Sequence, residues 1–94
     1  MSFKPTKYRS EMRILVDILR VIRKESEAGP TRILYKANLS YERLNKYLEK
    51  LKSMELIVEL RGESKSYALT QKGFEFLKEF EKFEELAKAF GFII

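Results

Sequence analysis

Thr31-Arg32-Ile33-Leu34-Tyr35-Lys36-Ala37-Asn38-Leu39-Ser40-Tyr41-Glu42-Arg43-Leu44-Asn45-Lys46-Tyr47-Leu48-Glu49-Lys50-Leu51-Lys52-Ser53 is the stretch that decides the fold. Over Thr31 to Ala37, Ile33, Leu34 and Ala37 share one face of a short helix, with Arg32 and Lys36 on the other. Asn38-Leu39 then makes a turn, since Asn is the commonest residue other than Gly to tolerate a left-handed backbone. Ser40 restarts the chain as an N-cap, accepting a backbone N–H that the first turn leaves orphaned. The next helix runs from Tyr41 to about Ser53, and Leu44, Leu48 and Leu51, with Tyr47 beside them, form its buried stripe.

The flanks extend the pattern. Leu56-Ile57-Val58-Glu59-Leu60, the polar loop Arg61 to Lys65, and Ser66-Tyr67-Ala68-Leu69 read as two strands joined by a loop containing Gly62. Upstream, Ile14, Leu15, Ile18, Leu19, Val21 and Ile22 fall at helical spacing from Ser10 to about Glu27, with Arg13, Asp17, Arg20 and Lys24 as the polar stripe; Ala28-Gly29-Pro30 ends that helix. Thr70 caps a last helix that continues to about Phe90, where Gly91 stops it. Two short helices joined by a tight turn and followed at once by a hairpin make a winged helix-turn-helix of the α+β class. The parts are a basic arm over residues 1–9, the winged unit over 10–69 and the C-terminal helix over 70–94.

Composition narrows the function classes. The 94 residues suffice for one core, and 45% hydrophobic with 35% charged residues is the balance of a folded chain. Cysteine and histidine are both absent, which removes disulfides, thiolate nucleophiles, the usual zinc ligands and the commonest proton shuttle. No paired carboxylates are placed for acid–base work, so neither an enzyme nor a cofactor or metal is expected. Neither a membrane span nor a signal peptide is read, so a cytoplasmic location is expected. The net charge of +5 is unevenly spread: seven basic against four acidic residues in 1–29, eight against five in 30–69, four against five in 70–94. That distribution suits a polyanionic partner.

Residues near the start of the second helix of the pair reach base edges in the major groove most easily, which nominates Tyr41, Glu42, Arg43, Asn45 and Lys46. Arg pairs with guanine and Asn with adenine, while Lys46 and Lys50 neutralise phosphates. Glu42 either accepts from a cytosine amino group or simply favours the positive end of the helix dipole. Arg32, Lys36 and Ser40 extend the same surface, and Arg61 and Lys65 place two cations at the base of the wing. Lys4, Lys7 and Arg9 make the arm basic. Tyr47 and Tyr67 are expected in the core, not as stacking platforms.

In the last helix Phe76, Phe80, Phe83, Ala87 and Phe90 recur at the spacing of a coiled-coil seam, while Phe74 and Leu77 lie on a second stripe able to pack on the domain's own core. An unpaired row of this kind exceeds the apolar patch that monomers normally expose, so a homodimer is expected. The alternative is a helix folded back over the first one, burying the phenylalanines within the chain.

Thr31-Arg32-Ile33-Leu34-Tyr35, Ala37-Asn38-Leu39-Ser40-Tyr41, Tyr47-Leu48, Leu56-Ile57 and Leu69-Thr70-Gln71-Lys72-Gly73 resemble a family of small archaeal winged-helix proteins, over about residues 10 to 88. These are dimeric, chromatin-associated DNA-binding proteins whose C-terminal helix forms an antiparallel coiled coil. The resemblance implies a duplex-DNA-binding homodimer, a transcriptional regulator or nucleoid protein. The wing, Arg61 to Ser66, is read as longer than is typical of the family, and the last helix as shorter. A docking module for other proteins is the second reading, because Glu42 and Glu49 stand among the basic residues. No small-molecule effector is indicated, there being no phosphate-cradling glycine loop.

Overall fold

The start of the first helix is set by Ser10, whose hydroxyl accepts the Arg13 N–H at 3.1 Å. The computed structural model describes residues 9–92. The order is α1 (Glu11–Glu25), α2 (Pro30–Ala37), α3 (Tyr41–Ser53), β1 (Ile57–Arg61), β2 (Lys65–Leu69) and α4 (Gln71–Ala89). Helix α1 stops earlier than the Ala28-Gly29-Pro30 signal suggests: Ser26 turns the backbone to φ 68°. Glu27, expected in the helix, accepts the Ser66 hydroxyl at 2.5 Å. Ala28 and Tyr67 exchange two backbone hydrogen bonds, of 2.9 and 2.8 Å, which fasten the hairpin to the α1–α2 connection. Pro30 then serves as the first residue of α2, where its missing N–H loses nothing.

The turn between α2 and α3 forms as its residues dictate. Asn38 is left-handed (φ 56°, ψ 60°), and Leu39 N–H reaches back to the Leu34 carbonyl at 3.1 Å, closing the end of α2. Ser40 caps α3 by accepting the Arg43 N–H at 3.3 Å. Behind the turn lies the core: Ile14, Ile18, Leu19, Ile22, Ile33, Leu44, Leu48, Leu51 and Leu77 are each less than 2% exposed. Each such side chain contributes about 1.5–3 kcal/mol by leaving water. Tyr47 and Tyr67 are buried as well.

In the hairpin Ile57 pairs with Leu69, Glu59 with Tyr67 and Arg61 with Lys65. Alternation sends Ile57, Tyr67 and Leu69 inward and leaves Val58 and Leu60 exposed. Because Arg61 and Lys65 belong to the ladder, the wing loop is only Gly62-Glu63-Ser64, shorter than the sequence suggests.

Helix α4 departs most from expectation. Its inward stripe is Gly73, Leu77, Phe80, Glu84 and Ala87, at steps of four, three, four and three. At 100° per residue the apolar row read from the sequence is centred about 60° away from this inward stripe. Of that row, Phe76 and Phe80 lean on the chain's own core and Ala87 is buried, whereas Phe83 and Phe90 are exposed. Phe74, expected on the core, is exposed too. The missing members of the inner stripe are a glycine and a glutamate, which a search for apolar periodicity passes over.

Glu84 is tolerated there because α1 neutralises it. Arg13 pairs with it at 2.5 Å and Arg20 at 2.8 Å, while Glu81 takes Arg23 at 2.8 Å and Arg20 at 3.0 Å. Hydrogen bonds from Arg23 and then Arg20 hold the Glu81 carboxyl down at about 2, and those from Arg13 and Arg20 hold Glu84 below the ordinary carboxylate range. Both carboxyls are depressed, so their pairing stabilises the fold above the ordinary value of 4.5 and is lost as the pH falls toward about 2. Acid melts should show it: wild type loses more stability than Glu81→Gln between about pH 5 and pH 2, while at neutral pH the variant is the less stable. Equal losses in the two proteins would remove the cluster from the fastening of α4.

Candidate nucleic-acid interface

Positioning of α3 follows from its buried stripe: with Leu44, Tyr47, Leu48 and Leu51 inward, Tyr41, Glu42, Arg43, Asn45, Lys46, Glu49 and Lys50 are left exposed. Tyr41 is 63% exposed at the head of the helix. Tyr47 lies under two of the cations: the Arg43 guanidinium carbon stands 5.9 Å and the Lys46 Nζ 5.6 Å from its ring centroid. The ring thus gathers both heads on one side of α3.

Helix α2 adds exposed Arg32 and Lys36, and the cap Ser40 is exposed between the two helices. The wing contributes Arg61 and Lys65, directly opposite each other in the ladder. Like charges at such a position repel unless an anion lies near. Within the chain that anion is Glu59, 2.9 Å from Arg61.

The cations differ in how far the chain already satisfies them. Arg32 pairs with Glu25 at 3.3 Å, Arg61 with Glu59, and Lys50 with Glu11. Lys36, Arg43, Lys46 and Lys65 have no carboxylate partner among the described residues. Of the positive charge counted in residues 1–29, Arg13, Arg20 and Arg23 are paired with carboxylates of α4. Of the expected arm, residues 1–8 lie outside the described residues; Arg9 is tied to Asp17 at 2.9 Å and donates to the Asn38 carbonyl at 2.9 Å.

Sequence reasoning missed Lys52 and Glu59. Lys52 bridges Glu59 at 2.9 Å and Glu49 at 3.2 Å, joining the last turn of α3 to the wing and fixing their mutual position. The signal was present: alternation puts Glu59 on the same face as Ile57, and a carboxylate on an inward face needs a cation. Among the described residues no group of three or more His, Cys, Asp or Glu side chains is placed to hold a metal ion, and no helix is long and apolar enough to cross a membrane.

A protein-family model described as winged helix-turn-helix matches residues 8–88. Among solved structures, Sso10a-2, a DNA-binding protein from Sulfolobus solfataricus, is 32% identical; the alignment covers 86% of this chain and 87% of that one, with a TM-score of 0.69. ZitR from Lactococcus lactis is similar at 24% identity, covering 84% of this chain and 62% of its own, with a TM-score of 0.71. The transcriptional regulator BldR from Sulfolobus solfataricus is similar at 15% identity, covering 81% and 60%, with a TM-score of 0.67. The last two likenesses establish the fold alone. No curated protein sequence matches the chain.

Proposed function

Because this chain belongs to the winged helix-turn-helix family, we propose that it binds double-stranded DNA as a homodimer, acting as a transcriptional regulator or nucleoid protein in the cytoplasm. Helix α3 enters the major groove, and the wing lies on the backbone or in the minor groove. One observation carries the reading. Arg43, Lys46, Lys36 and Lys65 are exposed cations without carboxylate partners among the described residues, drawn from α3, α2 and the wing. Arg43 and Asn45 have the chemistry to read base edges, while Lys36, Lys46, Lys50, Arg61 and Lys65 suit phosphates. The likeness to Sso10a-2, a DNA-binding protein, supports it.

The dimer rests on the outer stripe of α4. Phe83, Leu86 and Phe90 are 58%, 56% and 74% exposed and recur at steps of three and four. They continue into an apolar groove of about 520 Å³ lined by Ser10, Met12, Arg13, Phe80 and Phe83. A second copy covers this surface most economically, because a two-fold interface presents one patch to itself.

Titration of specific and random duplex against salt tests the DNA reading. Log affinity should fall linearly with log salt, with a slope reflecting ~6–10 neutralised phosphates per dimer. Replacing Arg43 and Lys46 together by Ala should weaken binding on the order of 10²-fold, given 1–3 kcal/mol for a good base contact plus the lost phosphate contact. Undiminished binding by that double variant would displace α3 from the groove. Absence of any shift at micromolar protein and low salt would assign the face to a protein partner instead.

A further inference from the structure

Helix α1 begins beside the proposed DNA-binding face. Glu11, its first residue, pairs its carboxylate with Lys50 of α3, and both side chains are 48% exposed. Lys50 and, more weakly, Lys46 hold the Glu11 carboxyl below its ordinary range, so this carboxylate sits in the field of both lysines assigned above to phosphates. The adjoining Arg9 is anchored to the Asn38 carbonyl in the turn between α2 and α3 and to Asp17 on α1, and Ser10 caps the same helix start. The segment 9–11 thus meets the helix-turn-helix unit at two points, Arg9 on the Asn38 carbonyl and Glu11 on Lys50.

We propose that Glu11 is a built-in competitor for DNA: in the free protein its carboxylate occupies the position beside Lys50 that a backbone phosphate takes in the complex. The proposal rests on the DNA-binding reading and deepens it by naming a phosphate site and the residue that opposes its occupation. A carboxylate paired with an ammonium offers the same anionic oxygens that a phosphate offers. Binding then exchanges Lys50–Glu11 for Lys50–phosphate, and it leaves an uncompensated carboxylate near a polyanion. Both effects weaken binding, and both are screened by salt because the groups are exposed. Glu11 thereby discriminates against loose association with DNA, and a helix start that merely favours an acidic residue predicts no such effect.

The test is Glu11→Gln in the full chain, titrated into random-sequence duplex at low and high salt beside Glu85→Gln, which changes the net charge equally on α4. Glu11→Gln should bind about fivefold tighter at low salt, with the gain shrinking below about twofold at high salt and the log–log slope steeper by about one per protomer. Glu85→Gln should change affinity by less than about twofold. Equal affinities of Glu11→Gln and wild type, or equal gains in the two variants, overturn the inference. A wild type that binds no duplex overturns the DNA reading itself, and that outcome is distinct from a binding wild type with an indifferent Glu11.

Discussion

Gly73→Ala is expected to destabilise the fold by about 3 kcal/mol or more, because among the four glycines it alone would set its Cβ inside contact distance of backbone. A Cβ at position 73 would lie 2.1 Å from the Leu56 carbonyl oxygen and 3.1 Å from its carbon. These are backbone atoms, so no rotamer change relieves the clash. Nor is the carbonyl free to swing, since it accepts the Thr70 N–H at 3.0 Å. Thr70 in turn donates its hydroxyl to the Glu55 carbonyl at 2.6 Å and accepts the Gly73 N–H at 3.0 Å. The start of α4 is thus fastened to the connection between α3 and β1, and the methyl group must push the whole helix away. For a domain of this size the loss corresponds to a fall in Tm of about 15 °C, measured by thermal melts of the helical signal. Gly62→Ala is the control: nothing lies within 4 Å of a Cβ there, and a change of under about 0.5 kcal/mol is expected. An unchanged Tm in Gly73→Ala would mean that α4 does not dock through Leu56.

The same glycine shows where the fold was legible in the sequence and where it was not. Bounds set by local chemistry came through: Asn38 turned left-handed, Ser40 capped α3, Thr70 capped α4, and Gly91, at φ 88°, closed it. Helix α3 runs from Tyr41 to Ser53 as the Leu44, Leu48 and Leu51 stripe requires. What failed depended on long-range partners. Which stripe of α4 turns inward is decided by Gly73 meeting Leu56 and Glu84 meeting Arg13 and Arg20, and neither residue is apolar enough to register as core. Helix α1 ends two residues short of the expected Glu27, where Ser26 turns to φ 68° and Ala28 beyond it is held by the long-range bridge to Tyr67. In the candidate interface, exposure of the α3 cations followed from helical periodicity alone. The partition of those cations into paired and unpaired did not, because Glu11 lies 39 residues from Lys50.

Disrupting the outer stripe of α4 should have the largest effect on DNA binding. Phe83→Glu with Phe90→Glu is expected to leave the fold intact, since these side chains are 58% and 74% exposed and make no part of the buried core. The carboxylates would be buried against the partner helix across a two-fold interface, where an uncompensated charge is prohibitive. A solution mass should therefore read as a dimer for wild type and a monomer for the variant. Two linked heads bind one duplex with the second contact made at a high effective concentration, so separating them should lower affinity by about 10²-fold or more. The salt slope should fall to about half, because each monomer then neutralises only its own phosphates. These readouts separate the roles of the two surfaces. Replacing Arg43 and Lys46 weakens binding without changing mass, whereas replacing Phe83 and Phe90 changes mass first and affinity in consequence. A variant that stays dimeric by mass would place the two-fold contact elsewhere, on the Met54, Leu56 and Phe76 groove beside α4 as the next apolar surface. A variant that becomes monomeric yet keeps full affinity and slope would show that each winged unit reads its duplex alone.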